Sequence, residues 1–490
     1  MEEELIIVIN VKNKYNNGGD YMKKTKIICT IGPVSNNPDV MCEMAINGMN
    51  VARANFSHGN YEEKDKIIRN LEEVRERTGK QVGLLFDTRG PEFRTGSFEN
   101  DKVTFEDGSK VKILKEKVKG NSERFSTNHP DALDKINVDD TILIENGNIK
   151  FSVIDKDDEG LLCEVLVGGE IENHKSISVP NVYLDLPYIS TQDKRDIEYA
   201  CNNDCEFLAI SFVNTKENVL EIKELLKNYD RTDLKIISKI ESKLGIENVD
   251  EILDESDGIM IARGDLGSEI ASEKLPIIQK QLVKKARDKG KIAIVATEML
   301  ESMMEENRPK RAETSDIANA VLDGTDAVML SGETTLGMHP VETVAAMGKI
   351  CEVTEEYSTF DYIDEDLSLD NTVDAICQAV VNSANRLNAK VICASTISGE
   401  TAQVISNLKP DSYILAMCPN DKICRRLSLN WGVYTMVIPF YTSTDEMLSE
   451  NIKRTKKFMN LEKGDIIILT GSFPTTGDSN PTNLMKIEEI

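Results

Sequence analysis

Short apolar runs recur along the chain, and each leads into polar or charged residues. Most are near-continuous stretches of Val, Ile, Leu and Ala with little alternation, which is typical of parallel strands buried on both faces. We interpret eight of these runs as strands, at residues 25–31, 50–55, 81–87, 206–212, 234–241, 258–262, 291–296 and 326–330.

Helix-like segments separate the runs, for example residues 38–48, 61–78, 216–229 and 275–289. Eight strand–helix units in succession predict an α/β fold, a parallel (β/α)8 TIM barrel. Active sites of such barrels lie at the C-terminal ends of the strands. Cations, carboxylates and hydroxyls are interleaved at those ends, which predicts a polar catalytic mouth. These residues are Arg53, Asn55, Asp87, Lys239, Glu241, Arg263, Asp265, Thr297, Ser331 and Glu333.

Two further regions interrupt or follow the barrel pattern. Residues 91–187 contain short β-like runs separated by turns, which predicts a small inserted β-barrel domain. Its place above the catalytic rim suits a lid, and a passive decoration is the alternative. Residues 356–490 alternate helix and strand patterns and predict a C-terminal α/β regulatory domain. The barrel then comprises residues 22–90 and 188–355.

The first 21 residues differ from the rest. Residues 12–21 are rich in Asn, Gly and Lys and show no periodic pattern. Gly18-Gly19-Asp20 can be encoded by GGAGGTGAT, which resembles a ribosome-binding site just upstream of Met22. We therefore expect residues 1–21 to be an unstructured leader and Met22 to be the native start.

The charge and the cysteines narrow the class of protein. A net charge of −26 argues against nucleic acid and anionic membranes as partners. No stretch approaches the length of a membrane span. The ten cysteines form no C-x-x-C pair, so we expect reduced thiols and a cytoplasmic protein. With four histidines in the chain, any bound metal should be a hard cation held by carboxylates.

The strand ends suggest chemistry before any resemblance is considered. Glu241 and Asp265 follow neighbouring strands, and two carboxylates with room for water and phosphate suit Mg²⁺. Lys239 lies two residues before Glu241 and points the same way, where it could stabilise a phosphoryl group in transfer. A surface ion pair is the alternative for Lys239 and Glu241. Residues 264–267 form a glycine-rich turn whose backbone amides could approach an anion.

Other polar groups extend this rim. Arg53 could grip a phosphate as a fork donor, and Thr297 is placed to bind substrate or a proton-donating water. Four hard oxygen ligands could surround a monovalent cation, unless the first two only shape a turn; they are Asn55, Ser57, Asp87 and Thr88. Near the C-terminus, the hydroxyls of residues 395–401 could bind phosphate or cap a helix, and capping is favoured.

Seven motifs, taken together and in order, resemble the signatures of the pyruvate kinase family. They are residues 53–59 (RANFSHG), 87–96 (DTRGPEFRTG), 238–242 (SKIES), 259–270 (IMIARGDLGSEI), 296–303 (ATEMLESM), 309–321 (PKRAETSDIANAV) and 323–334 (DGTDAVMLSGET). The resemblance spans the chain from Met22 to its end. It implies phosphoryl transfer from phosphoenolpyruvate to ADP, which gives pyruvate and ATP as the last step of glycolysis.

The resemblance also implies roles for individual residues. Glu241 and Asp265 would ligate Mg²⁺ or Mn²⁺, while Lys239, Arg53 and Thr297 would be catalytic. Substrate would contact Arg53, Lys239, Gly264, Asp265, Thr297, Ser331 and Glu333. Potassium would bind Asn55, Ser57, Asp87 and Thr88, and Glu92 is similar to the potassium-dependent kind. The nucleotide would contact Asn55, His58, Arg94 and Lys175. A phosphorylated effector would meet Thr396, Ser398 and Thr401, and a homotetramer is implied.

The chain departs from the family pattern in several places, some of them at the implied nucleotide and effector sites. Glu298 stands where Gln is usual and Arg89 where Lys is usual. The lid end at residues 174–181 is altered, Asn146 replaces an expected aspartate, and Glu400 replaces a usual Arg. The altered lid and effector loop motivate one rival hypothesis, a non-catalytic paralogue. A second rival is a Mg²⁺-dependent lyase or aldolase on the same barrel, which could also use the paired Glu and Asp.

Overall fold

The computed structural model describes residues 22–490 except 146, 181, 183, 185, 358–370, 442 and 473–480. The predicted leader and the departure at Asn146 thus lie outside the described residues. The chain forms three barrel strands, then an inserted domain, then five more barrel strands. The first three are β1 (Lys26–Thr30), β2 (Val51–Asn55) and β3 (Gly83–Asp87). The insert holds β4 (Lys102–Phe105), β5 (Lys110–Leu114), β6 (Arg124–Ser126), β7 (Thr141–Ile144), β8 (Ile149–Asp157), β9 (Gly160–Val167), β10 (Gly169–Glu172) and β11 (Ile177–Ser178). The last five are β12 (Phe207–Ile210), β13 (Lys235–Ile240), β14 (Gly258–Ala262), β15 (Ile292–Ala296) and β16 (Ala327–Leu330).

The eight barrel strands close on themselves in the order β1-β16-β15-β14-β13-β12-β3-β2. Lys26 pairs with Ala327 where the first and last strands meet in parallel. Nearly every residue of these strands is buried, which is what continuous apolar runs require of a parallel sheet covered on both faces. The predicted (β/α)8 barrel is confirmed.

Helices cover the outside of the barrel. They are α1 (Pro38–Ile46), α2 (Tyr61–Thr78), α3 (Thr191–Cys201), α4 (Lys216–Asn228), α5 (Lys243–Glu247), α6 (Val249–Glu255), α7 (Arg263–Glu269), α8 (Leu275–Asp288), α9 (Arg311–Leu322), α10 (Gly332–Thr335) and α11 (Pro340–Glu356). Short 3-10 turns occupy Pro130–Lys135, Ser272–Lys274 and Glu301–Met304. None of the described helices combines the length and apolarity of a membrane crossing. All ten cysteines are free and buried.

The inserted domain is a curled six-stranded sheet, in the order β11-β7-β8-β9-β5-β6, with the pair β10-β4 beside it. Its core contains Phe98, Phe105, Phe125 and Phe151, whose rings pack edge to face or tilted. Two of its strands show no clear period in the sequence: β6 has three residues, and β10 is largely exposed.

The C-terminal domain has the strands β17 (Val391–Ser395), β18 (Tyr413–Cys418), β19 (Val433–Val437), β20 (Ile466–Gly471) and β21 (Leu484–Glu489). Its helices are α12 (Thr372–Leu387), α13 (Glu400–Asn407), α14 (Asp421–Arg426) and α15 (Thr444–Met459). The sheet order is β19-β18-β17-β20-β21, and β21 alone among these strands runs antiparallel to its neighbour. The predicted α/β fold of this domain is confirmed, and the polar strand β21 lacks the apolar run that would predict it.

Three carboxylates stand at the base of the barrel, where strands begin: Glu206, Asp257 and Asp326. Each accepts a backbone N–H from a neighbouring strand; the donors are Leu84, Ile236 and Ala293, at 2.8, 2.9 and 2.9 Å. The C-terminal domain adds cations to two of them. Arg425 Nε lies 2.6 Å from Glu206 Oε1, and Lys409 Nζ bonds to Asp326 Oδ1. Buried ion pairs therefore join this domain to the barrel.

Replacing Lys409 with Met should destabilise the protein by about 3–5 kcal/mol, because it leaves the buried Asp326 carboxylate without its cation. Urea unfolding would measure this as a lower midpoint. The matched control is Lys390→Met, whose pair with Asp465 involves a lysine side chain that is 57% exposed. There we expect less than about 1 kcal/mol. Equal effects of the two substitutions would contradict the role given to the buried pair.

Candidate active site

A buried carboxylate sits at the centre of the barrel mouth. Asp87 ends β3 and is 0% exposed. Its Oδ2 accepts from Arg53 Nε at 2.7 Å, and its Oδ1 lies 3.3 Å from Lys239 Nζ. Burial alone would raise the pKa of Asp87, but Lys239 and Arg53 hold that pKa below its ordinary value. The ion pairs of Asp87 with Arg53 and Lys239 thus connect the ends of three strands, β2, β3 and β13.

Lys239 carries the second link. Its Nζ lies 2.9 Å from Glu241 Oε1 and donates to Ser211 Oγ at 2.7 Å. Burial alone would lower the pKa of Lys239, yet Asp87 and Glu241 raise it above its ordinary value. The side chain is therefore a fixed cation at neutral pH. The alternative of a surface ion pair between Lys239 and Glu241 is wrong, because both residues are buried.

Ser211 is a site residue that the sequence reasoning missed. It follows β12 and is buried, and its hydroxyl also lies 2.7 Å from the carbonyl oxygen of Thr88. Its backbone N–H donates to Thr88 Oγ1 at 3.1 Å. The strand-end rule could have found it, since the fourth apolar run closes at Ile210-Ser211-Phe212, but a lone serine carries less signal than a charge.

Glu241 and Asp265 fit a divalent cation. Glu241 is 1% exposed; its Oε1 faces Lys239 Nζ at 2.9 Å, and its Oε2 accepts from Phe212 N at 2.7 Å. Burial, with a contribution from Asp265, raises the pKa of Glu241 to about 7 despite Lys239. A buried carboxylate that feels the charge of a second carboxylate, Asp265, suits a hard cation. No cluster of three His, Cys, Asp or Glu occurs in the described part of the chain, so water or substrate would complete the coordination.

The predicted glycine-rich turn at residues 264–267 is wrong, since these residues lie in α7. A helix begins directly after β14 and includes both glycines, Gly264 and Gly267. Gly264 N donates to Thr297 Oγ1 at 2.8 Å, so two of the residues implied to contact substrate meet in space. Asp265 lies in the same first turn.

Thr297 has a strained backbone. Its φ is +68° and that of Glu298 is +53°, and a β-branched residue seldom adopts this region. Arg263 holds the segment, because its Nη2 donates to the carbonyl oxygens of Thr297 at 2.6 Å and Glu298 at 3.0 Å. Strain of this kind concentrates at functional sites.

Ser331 and Glu333 follow β16 and meet each other. Glu333 Oε2 accepts from Ser331 N at 2.7 Å, and its Oε1 accepts from Leu300 N at 3.1 Å. Ser331 Oγ is buried and has no partner among the described residues. The carboxylate thus anchors two backbone segments, while the serine hydroxyl is left for another group.

The four oxygen ligands predicted for a monovalent cation lie on two adjacent strand ends. Asn55 and Asp87 are register partners in the β2–β3 pair. Asn55 Oδ1 accepts from Ser57 N at 2.9 Å, which is a turn contact. Thr88 Oγ1 accepts from Ser211 N. Asn55 can shape this turn and also serve as a cation ligand, since one amide oxygen can accept a hydrogen bond and still face a cation.

Comparison with known proteins decides the family. Residues 22–344 match the family described as pyruvate kinase, barrel domain, and residues 374–488 match pyruvate kinase, alpha/beta domain. The chain belongs to the pyruvate kinase family. A pyruvate kinase of Geobacillus stearothermophilus is 43% identical over 96% of this chain and 80% of its own length. One of Clostridium perfringens (strain 13 / Type A) is 38% identical over 96% of this chain and 100% of its own length. A crystal structure of a pyruvate kinase from Cryptosporidium parvum gives a TM-score of 0.89 at 36% identity, covering 95% of this chain and 96% of that chain.

Three of the nucleotide residues implied by the pyruvate kinase resemblance, Arg94, Lys175 and His58, each have charged neighbours in the structure. Arg94 makes a two-point pair with Glu92, at 2.7 and 2.5 Å, and donates to the carbonyl oxygen of His174 at 2.7 Å. Lys175 pairs with Glu145 at 2.6 Å within the inserted domain. His58 lies on the barrel side, where Arg53 and Arg94 both act on its charge.

The effector residues implied by the pyruvate kinase resemblance make helix-start contacts. Thr396 Oγ1 accepts from Gly399 N at 2.9 Å, and Ser398 Oγ accepts from Glu400 N at 3.3 Å. Thr401 Oγ1 lies 2.6 Å from Thr482 Oγ1. Gly399 is the N-cap of α13 and no side chain makes a capping bond there, so the favoured capping role is wrong; Thr396 and Ser398 shape the turn that precedes the helix. Ser398 also lines a cavity of about 1100 Å³ between the barrel base and the C-terminal domain, on the far side from Lys239.

The ring of His58 should titrate below the ordinary pKa of 6.5, because burial and then the charges of Arg53, Lys64 and Arg94 lower its pKa. It should therefore be neutral at pH 7. Arg94→Gln should shift that pKa upward, as one of the opposing cations is gone. An NMR titration of the imidazole signals would measure both values. Arg77→Gln is the matched control, since Arg77 is not among the charges that act on His58; a shift there equal to that of Arg94→Gln would refute the assignment.

Proposed function

We propose that the chain transfers the phosphoryl group of phosphoenolpyruvate to ADP, which gives pyruvate and ATP. The observation that carries this is the buried set of Arg53, Asp87, Lys239 and Glu241 at the barrel mouth, in a member of the pyruvate kinase family. In this reaction the enol oxygen–phosphorus bond breaks, and a bond forms from the phosphorus to a terminal oxygen of ADP. The enolate carbon then takes a proton.

The protein's part in phosphoryl transfer is positioning and charge. Lys239 presents a fixed ammonium, and we assign it to the phosphoryl group in flight. Arg53 presents its guanidinium from β2, and we assign it to the phosphate before transfer. Asp87 orients both cations, because it accepts from Arg53 and lies 3.3 Å from Lys239. Since these groups are held before substrate arrives, little reorganisation is needed when charge moves.

Glu241 and Asp265 would hold Mg²⁺ or Mn²⁺. The bound cation would neutralise charge on the phosphate and enolate oxygens. Glu241 supports this assignment because it is buried and feels the charge of Asp265, so a bound cation would relieve the repulsion between the two carboxylates. Thr297 and the amides that begin α7 would orient the substrate carboxylate. We assign proton delivery to the region of Thr297 and Ser331, because Ser331 Oγ is buried without a partner and Glu333 is occupied by two backbone N–H groups.

Family resemblance supports the remaining proposals. Potassium would bind Asn55, Ser57, Asp87 and Thr88, and the nucleotide would contact Asn55, His58, Arg94 and Lys175. A phosphorylated small molecule would act at Thr396, Ser398 and Thr401, although Glu400 opposes an anion there. We also propose a cytoplasmic homotetramer that acts in glycolysis.

Lys239→Met should lower kcat for pyruvate formation by about 10³-fold, because one preorganised cation at the transferring group is lost. Coupled spectrophotometry of pyruvate release from phosphoenolpyruvate and ADP would measure it. Lys235→Met is the control on the same strand, at the barrel base, where the lysine pairs with Asp257. The control should retain activity within about threefold. A Lys239→Met enzyme as active as the control would contradict the assignment, and a parent protein without turnover would favour the non-catalytic paralogue.

Turnover should rise at least about tenfold when sodium is replaced by potassium. The reason is that the four proposed oxygen ligands, which lie at or just after the ends of β2 and β3, would select the larger cation. The same assay in matched sodium and potassium buffers would measure it. Asn55→Ala should reduce that response, while Asn60→Ala, which alters a helix cap outside the four ligands, should preserve it. An equal response to potassium in Asn55→Ala and the parent would discard the cation site.

A further inference from the structure

One carboxylate connects the inserted domain to both metal-binding segments. Glu269 ends α7, four residues after Asp265 and therefore one helical turn away. Its Oε1 accepts from Ser178 Oγ, in strand β11 of the insert, at 2.8 Å. The carboxylate also accepts the backbone N–H of Lys243, which begins α5 two residues after Glu241. Glu269 thus contacts the insert and α5 while it belongs to α7.

The contact between Glu269 and Ser178 is partly shielded from solvent. Glu269 is half-buried, and burial raises its pKa, while Ser178, the Lys243 backbone and the Lys243 charge oppose that rise. A partly desolvated carboxylate loses more when a donor is removed than an exposed one does. The contact with Ser178 spans 91 residues of chain, so it reports tertiary placement and not local structure.

We propose that Glu269 is a positioning residue that couples the seating of the inserted domain to the placement of Glu241 and Asp265. When β11 is seated, Ser178 fixes one carboxylate oxygen of Glu269. The carboxylate then holds the first residue of α5 and the last turn of α7 together. When β11 leaves, that restraint on the two segments weakens. The inference rests on the proposed function only in taking Glu241 and Asp265 as the cation ligands.

Coupling of this kind is reciprocal, so a cation at Glu241 and Asp265 should stabilise the seated insert by the same factor. The test uses the full-length protein with Mn²⁺ as the probe and without substrate. Mn²⁺ binding is measured by electron paramagnetic resonance. Amide hydrogen exchange is measured in peptides that contain Ile177 and Ser178. We expect Mn²⁺ to slow exchange there by about fivefold in the parent protein.

Two variants weaken the contact from opposite sides. Ser178→Ala removes the donor in the insert, and Glu269→Gln removes the charge and replaces one of the two acceptor oxygens by an NH2 donor. Each should bring the effect of Mn²⁺ on exchange to less than about twofold, and Glu269→Gln should weaken Mn²⁺ binding by about tenfold. The double variant should resemble Glu269→Gln, because contacts that act together are not additive. Ser176→Ala is the matched control, since Ser176 contacts its neighbours in the structure through its backbone.

The outcomes separate this inference from the proposed function. A parent that binds Mn²⁺ and forms pyruvate, but whose insert exchanges at the same rate with and without Mn²⁺, overturns the coupling alone. Additive effects of Ser178→Ala and Glu269→Gln on exchange also overturn it. A parent that neither binds Mn²⁺ nor forms pyruvate overturns both. Loss of the Mn²⁺ effect in the two variants, with the Ser176→Ala control unchanged, supports the coupling.

Discussion

The buried carboxylate of Asp87 is the constraint on which the barrel mouth depends. A charge with no exposed surface is tolerated only when it is paired and hydrogen-bonded. Arg53 and Lys239 provide that pairing from two other strands. Because a barrel fixes the spacing of its strand ends, the three side chains cannot separate without leaving one charge alone in a low-dielectric site. The geometry of the mouth is therefore set before any ligand binds.

The same principle explains how the neighbouring groups are held. Glu241 shares Lys239 with Asp87, and Ser211 fills the space between Lys239 and Thr88. Arg263 holds the strained residues Thr297 and Glu298 through their carbonyl oxygens. The C-terminal rim of the barrel thus holds two preorganised groups of charges and donors, and preorganisation of this kind is what electrostatic catalysis requires.

The sequence predicted the barrel well because each of its strands is a buried apolar run followed by polar residues. It predicted less where that signal is absent. Strand β21 is half-exposed and polar, and β6 is too short to show a period. Glycines at 264 and 267 suggested a turn, although helix α7 forms there. Ser211 escaped notice because its importance comes from Lys239 and Asp87, which are distant in sequence. The contact of Glu269 with Ser178 has the same origin, since tertiary packing alone brings them together.

The carboxylates at the base of the barrel have a consequence for which C-terminal domain the barrel can accept. Asp326 and Glu206 begin barrel strands, yet Lys409 and Arg425 of the C-terminal domain neutralise them. A barrel joined to a C-terminal domain that lacked these two cations would keep Asp326 without Lys409 and Glu206 without Arg425. The two domains are therefore matched in charge at their interface, although each has a core of its own.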